Sequence, residues 1–367
     1  MPTTTRTDPG RVLNPLDPPK LLGLPLGAAR FKSRAEDFQV EEILGFDPSD
    51  EGEHCFLWLE KTGRNTVDVA TALASKLGIR NRHVSHCGLK DKNAVTRQWF
   101  SLHLPGQASP VLSDLDIDGV RVLKITRNLR KLHRGSHDGN RFVVRLRDCL
   151  FSKDAAAERW QKIVDHGVPN YFGPQRFGRD GGNMRTVRHF MSGNLETEDR
   201  LLRGILISAA RSFVFNACVA ERVQRGNWGT PLDGEVFGFA NNRSLVFPEN
   251  IRGDESQRVT RGALELTAPL WGEGELGSQQ QVKAIEEHVA ESYSEIIGWL
   301  AQFNLKQERR VMRLRPQSPK MTWETPSTLV LRFDLSKGTY ATTLLRELVD
   351  FANGNNLLAA RCAHRQS

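Results

Sequence analysis

A single carboxylate, Asp91, lies between Lys90 and Lys92, after Gly88 and ahead of a stretch, Val95 to His103, that alternates as a strand does. This order confines the segment to a tight loop feeding a strand, because Gly88 permits backbone conformations closed to other residues. Loops held on a rigid strand often carry catalytic groups. Two flanking ammonium groups favour the charged form of a carboxyl and lower its pKa, leaving an ionised aspartate that can act as a nucleophile. The same residues also fit a plain turn with an exposed ion pair of little energetic weight. The rest of the chain has to decide between these readings.

With 367 residues, the chain exceeds one typical domain and two are expected. Lys and Arg total 51 against 43 Asp and Glu, a formal charge of +8 that points to a polyanionic partner. The five cysteines, Cys55, Cys87, Cys149, Cys218 and Cys362, are scattered without Cys-x-x-Cys spacing, which speaks against a disulfide framework or zinc knuckle and for a reducing compartment. The early apolar patch, Leu21 to Leu26, is short and contains Pro25, so neither a signal peptide nor a membrane span is expected. The expectation is a soluble cytoplasmic protein with no membrane partner, and a monomer, since no exposed apolar stripe demands a second copy. No phosphate-cradling Gly-rich loop, dinucleotide fingerprint, nucleophile elbow or His-Glu-x-x-His is present. His133 and His137 are four residues apart among glycines and basic side chains with no third ligand close in sequence, so no metal is expected.

Residues 1–27 are rich in Pro, Thr and Gly and predict a loose lead-in. From Glu36 to Glu60 there are nine acids and no Lys or Arg, with Phe38, Val40, Ile43, Phe56 and Trp58 at strand-like positions, which predicts a hairpin with an acidic, solvated face. Asn65 is placed to cap a helix from Thr66 to Leu77, with Val67, Val69, Ala70, Leu73 and Leu77 on its apolar face and Gly78 ending it. A strand from Val120 follows. Between Arg121 and Arg147, nine basic residues face one acid, Asp138, a density suited to a phosphate backbone. Arg127, Arg130, Lys131 and Arg134 are the candidate backbone contacts. Asn140 either bonds a base edge or caps a turn, and Phe142, opening a strand to Leu146, is either core or a platform for an unstacked base.

Asp154 to Val164 predicts a helix ended by Gly167, and the Gly- and aromatic-rich segment from Pro169 to Asn183 predicts a structured surface loop beyond a domain boundary. Two helices are expected over 195–225 and one long helix from Gln279 to Phe303. Lys306 to Lys320 carries six basic residues and one acid, Glu308, a second cationic stretch. A strand from Thr328 to Leu335 and a final helix capped near Thr339 close the pattern, with Tyr340 at the loop between them.

The chain resembles the tRNA pseudouridine synthase D (TruD) family in six blocks that stand in the family's order. These are Phe31-Lys32 with Glu36 to Glu42, Gly88 to Ser101, Gly139 to Phe142, Asn170 to Gly178, Ser212 to Asn216, and Gly338 to Thr342 with Leu345 to Glu347. The resemblance implies an α+β fold: a pseudouridine synthase catalytic domain, with a mixed, largely antiparallel sheet flanked by helices around a central cleft, and an inserted second α/β domain. On that basis residues 1–27 are the lead-in, 28–165 plus 315–367 the catalytic domain and 166–314 the inserted TRUD domain. It implies isomerisation of uridine to pseudouridine at position 13 of tRNA, with tRNA as partner and neither cofactor nor metal. Carried onto matching positions, Asp91 is the catalytic aspartate and Lys32 its basic partner, while Phe38, Lys90, Asn140, Phe142 and Tyr340 bind the substrate. Tyr340 replaces a frequent phenylalanine, which keeps the stacking face and adds a hydroxyl.

The residue types agree with that reaction, which detaches uracil from C1′ and rejoins it through C5 without a redox agent. A target uridine must leave its stack at a cost of a few kcal/mol, which an aromatic surface and edge hydrogen bonds can offset. Two other readings compete: an RNA-binding or chaperone protein that uses the basic surface without chemistry, and a carboxylate-dependent nucleosidase that releases free uracil.

Overall fold

The computed structural model of the chain describes residues 13–193, 199–239, 244–251 and 253–352. Their contacts fall into two compact units. A sheet unit comprises residues 25–164, 316–338 and 348–352, and a helical unit comprises 13–24, 165–315 and 339–347.

The sheet unit holds ten strands: β1 (Ala28–Phe31), β2 (Phe38–Ile43), β3 (His54–Thr62), β4 (Val84–His86), β5 (Val95–His103), β6 (Val120–Asn128), β7 (Gly139–Arg147), β8 (Gln317–Thr325), β9 (Thr328–Ser336) and β10 (Asp350–Ala352). They run in the order β8-β9-β7-β2-β5-β3-β6, with β1 joined to β7 and β10, and β4 to β5. The β2–β5 and β1–β10 pairs are parallel and the others antiparallel, giving a mixed, largely antiparallel sheet. Helix α1 (Thr66–Lys76) lays Val69 and Leu73 on the face formed by Cys55, Leu57, Leu59, Phe100 and Leu102. Val67 points to solvent instead, and Asn65 bonds Asp68 at 3.0 Å rather than capping with its side chain. Helix α2 (Lys153–His166) places Trp160 6.0 Å from Phe333.

The hairpin expected between Glu36 and Glu60 does not form. β2 is flanked by β7 and β5, and β3 by β5 and β6, so β5 separates the two strands. Their acids are not merely solvated either, since Asp37 and Glu42 are buried. Charged residues from six strands form one cross-sheet row: Asp334, Arg141, Glu41, Arg97, Glu60 and Arg121 lie in register on β9, β7, β2, β5, β3 and β6. Successive pairs are 3.0, 3.5, 3.2, 2.9 and 2.9 Å apart. Arg145 joins Glu324 at 2.6 Å and Arg147 joins Asp37 at 2.7 Å. Much of the basic stretch from 121 to 147 therefore neutralises the acids of neighbouring strands.

The helical unit is organised on one helix, Arg200–Gln224, where two were expected from 195. Gly204 does not break it, because a mid-helix glycine costs only about 1 kcal/mol and the buried run from Leu206 to Ala220 outweighs that. Asp199 caps it, accepting from the N–H groups of Leu201 and Leu202 at 2.8 and 3.2 Å. Among the described residues it is the one helix long and apolar enough to cross a membrane, and 61% of that window is buried. The long helix expected from Gln279 is instead two, Gln280–Ser292 and Ser294–Leu300, broken where Tyr293 leaves helical geometry and its hydroxyl donates to the Leu13 carbonyl at 3.0 Å. Residues 13–24 are packed rather than loose: Leu13, Leu16 and Leu21 lie on the helical core, and Asn216 donates to the Pro15 carbonyl at 3.0 Å. Residues 1–12 of the expected lead-in lie outside the described residues.

The segment after Pro169 is core rather than surface, with Tyr171, Phe172 and Phe177 buried. Asn216 brackets Phe172, accepting from its N–H at 2.8 Å and donating to its carbonyl at 3.0 Å. The second cationic stretch also turns inward. Arg309 pairs with Glu286, Arg313 with Glu265 at 3.4 Å, and Arg310 lies over the Phe172 ring at 4.3 Å. Buried charges need such partners, so these arginines build the unit instead of offering a phosphate-binding surface.

Candidate active site

The Gly88–Asp91 loop links β4 to β5, and buried side chains from other elements fix it. Gln98 on β5 donates to the Gly88 carbonyl at 3.2 Å and accepts from the Thr66 hydroxyl at 2.9 Å. The same Thr66 oxygen accepts from the Lys90 N–H at 2.9 Å. Lys61, on β3, donates to the carbonyls of Arg64, Lys90 and Asp91 at 2.8, 3.3 and 3.0 Å. One Asp91 carboxylate oxygen accepts from the Asn93 N–H at 2.9 Å, and the other pairs with the Lys32 ammonium.

Lys32 follows β1 with φ 56°, a left-handed backbone that costs a lysine about 1–2 kcal/mol. Its ammonium lies 4.2 Å from the centre of the Phe38 ring and 5.1 Å from that of Phe31, so it is held by two aromatic faces as well as by Asp91. Burial pushes the Asp91 carboxyl up, but the Lys32 ammonium, the Asn93 N–H and the Lys61 charge outweigh it and hold the pKa below the ordinary aspartate value. The result is an ionised carboxylate, partly desolvated, on a braced loop.

The flanking lysines do not serve Asp91 as their spacing suggests. Lys90 turns away to a buried pair with Glu42 at 2.8 Å, its side chain 6% exposed, and so is not open to substrate. Lys92 is exposed. The further positive charge near Asp91 comes from Lys61, which sequence reasoning missed. A signal for it exists: Cys55, Leu57, Leu59 and Lys61 share one face by strand alternation, and that face is core. Glu42, which continues the buried face of Phe38 and Val40, carries the same signal.

Phe142 is 7% exposed and packs between Phe38 at 5.9 Å and Phe333 at 5.5 Å, so it belongs to an aromatic stack rather than standing free. Asn140 enters β7 next to Gly139, where a Cβ would come within 2.4 Å of the Leu335 carbonyl oxygen, so only glycine allows the strands this close. The Asn140 side-chain oxygen is buried, and among the described residues it has no hydrogen-bond partner. Lys32, Phe38, Asp91, Asn140 and Phe142 thus belong to the sheet unit. Tyr340 belongs to the helical unit, edge-on to Phe172 at 6.1 Å. Its segment is tied there by Glu347, which accepts from the N–H groups of Leu21 and Leu22 at 3.1 and 3.0 Å.

Arg130, Lys131 and Arg134 are exposed in the turn between β6 and β7. Arg127 is different: it donates to Ser109 at 2.8 Å and to the Gln107 carbonyl at 2.6 Å, bracing the 104–109 loop. Glu42, Cys87 and His137 bring potential metal-ligating atoms within 4.8 Å of one another. Glu42 is already engaged by Lys90 and by the Trp99 N–H at 3.2 Å, so a cation there would have to displace an ammonium.

The family model described as tRNA pseudouridine synthase D (TruD) matches residues 25–198 and 190–348. The chain is 42% identical over 339 residues to a tRNA pseudouridine synthase D of Stutzerimonas stutzeri, covering 92% of this chain and 98% of that one. It is 42% identical over 335 residues to the protein of that description in Pseudomonas aeruginosa, covering 90% and 93%. A crystal structure assigned to tRNA pseudouridine synthase D from Methanosarcina mazei is similar in fold, with a TM-score of 0.66 at 20% identity over 93% of this chain and 96% of that one.

Proposed function

The chain belongs to the tRNA pseudouridine synthase D family, and from that premise we propose that it isomerises uridine 13 of tRNA to pseudouridine with Asp91 as the nucleophile. The observation that carries the assignment to Asp91 is its ion pair with Lys32 on a loop braced by Lys61, Thr66 and Gln98. In this reaction the N1–C1′ bond of uridine breaks and a C5–C1′ bond forms. C5 loses a proton and N1 regains one, so the substrate is rearranged with no net change in composition. A desolvated carboxylate held ionised can attack an electrophilic carbon, and Lys32 keeps it in that state before substrate arrives.

The uracil pocket in this reading has Phe38 and Phe142 as its floor. Asn140 offers a buried oxygen, unpartnered among the described residues, that suits the N3–H of a flipped uracil, where an unmet acceptor would otherwise carry a desolvation cost. Tyr340 is assigned to base stacking on the strength of its motif, Gly338 to Thr342. Arg130, Lys131 and Arg134 contact the tRNA backbone. Residues 166–314 correspond to the inserted TRUD domain, and the protein works in the cytoplasm as a monomer.

The test is to incubate unmodified tRNA transcript with wild-type protein and Asp91→Asn, then map pseudouridine by carbodiimide labelling and primer extension. Wild type is expected to give a stop at uridine 13, and the variant none while still binding tRNA. Turnover by Asp91→Asn would remove Asp91 from the mechanism. Binding without modification by either protein would leave an RNA-binding role, and release of free uracil would indicate a nucleosidase.

A further inference from the structure

Lys61 is an uncommon residue for a strand core: it is 1% exposed, and among the described residues its side chain makes no close ion pair. Its three N–H donors instead meet three backbone carbonyls, those of Arg64, Lys90 and Asp91, at 2.8, 3.3 and 3.0 Å. Two of those carbonyls belong to the loop that presents the carboxylate, and the third precedes α1. An ammonium used in this way is a tripod that fixes the position of one backbone segment against another. An apolar residue would have completed the Cys55, Leu57, Leu59 face without the desolvation cost of a buried charge.

Resting on the assignment of Asp91 as nucleophile, we propose that Lys61 is a positioning residue: it fixes the Lys90 and Asp91 carbonyls so that the Asp91 carboxylate meets Lys32, and its charge helps keep that carboxylate ionised. Lys61 touches no substrate in this role. Burial brings its own pKa down to about 8, with Asp91 raising it, Lys90 lowering it and Asp68 on α1 raising it. Above that pH the neutral amine has two donors for three carbonyls, so the loop loses a tether as pH rises.

Lys61→Met and Lys61→Arg are to be compared with wild type by single-turnover rate on tRNA transcript, tRNA affinity, thermal midpoint and the 13Cγ titration of Asp91. A shift of one ångström in a reacting group can cost about 10²-fold in rate, and Lys61→Met is expected to lose on that order with tRNA affinity unchanged. The Asp91 titration should move to higher pH in Lys61→Met and move less in Lys61→Arg, which keeps a cation and N–H donors. A Lys61→Met protein with a lowered thermal midpoint but wild-type rate and an unmoved Asp91 titration would overturn the proposal. Should Lys61→Met not fold, Lys61→Gln, which keeps two N–H donors without the charge, decides in its place, and a wild-type rate with an unmoved Asp91 titration overturns the proposal. Failure of the nucleophile assignment is separable, since it appears as turnover by Asp91→Asn, whereas the movement of the Asp91 titration in Lys61→Met reads the positioning role directly.

Discussion

Asp91 and Lys32 are 59 residues apart in sequence, yet the ionisation of one depends on the other. Lys32→Met should therefore do more than slow turnover. Removing an adjacent opposite charge raises a carboxyl pKa, so the acid limb of the pH–rate profile should move to higher pH. An unshifted limb with reduced rate would mean that Lys32 acts on substrate instead. The sign also holds for stability. Asp91 has a folded pKa below its unfolded value, so its contribution is present above the unfolded pKa and is lost as pH falls through the folded one. Asp91→Asn should accordingly show less acid sensitivity in urea unfolding than wild type. The presence of an aspartate in a glycine-led loop was legible in the sequence. Lys32 was legible as its partner only through the family motif, and Lys61 was not, because Lys90 and Lys92 are nearest along the chain while Lys32 and Lys61 are nearest in space.

The sheet carries a row of alternating charges from Asp334 to Arg121 across six strands, and Arg97 sits within it between Glu41 and Glu60. Isolated surface pairs contribute little, but Arg97 serves two acids at once, and its removal would leave both beside no cation from β5. Arg97→Gln is expected to lower stability by about 1 kcal/mol, with the difference shrinking at high salt. A difference independent of salt would point to packing rather than charge. Asp37 is a stronger case, since its buried carboxylate takes 2.9 and 2.7 Å bonds from Arg147. Burial raises the Asp37 pKa, yet Arg147, the Arg34 N–H and Arg145 bring it below the ordinary value. Arg147→Met should cost about 3 kcal/mol at neutral pH by leaving that buried charge to the Arg34 N–H and to Arg145, 3.8 Å away, and the deficit should narrow as pH falls through the folded pKa of Asp37. Strand alternation in these elements was legible, and it located β2, β3, β5 and β7. Their order in the sheet was not, because a strand pattern names the buried face and says nothing about which strand lies alongside.

For the molecule as a whole, the positive charge divides into cations used inside the protein and cations left for a partner. The net charge of +8 hides that division. Arg130, Lys131 and Arg134 are exposed, whereas Arg127 braces a loop and Arg309, Arg310 and Arg313 are turned into the helical unit. Alanine at Arg130, Lys131 or Arg134 is expected to weaken tRNA binding and to lower the salt slope, log Kd against log salt, by about 1 for each phosphate that the variant no longer neutralises. Arg127→Ala should instead lower the thermal midpoint with the slope unchanged. The opposite pattern would return Arg127 to the binding surface.

By itself, the sequence determined that a loop led by Gly88 presents a carboxylate ahead of a strand, that the chain carries the motifs of the pseudouridine synthase D family, and that cations exceed acids. These are local or additive properties, set by backbone freedom, by residue type in order and by a sum of charges. The Lys32 partner of Asp91 was carried by the family motif, whereas tertiary structure alone decided that Lys90 is taken by Glu42, that Lys61 braces the loop, and which arginines remain available to phosphate. Coulomb attraction and hydrogen bonding act over a few ångströms of space, and the order of strands in the sheet, not separation along the chain, sets those distances.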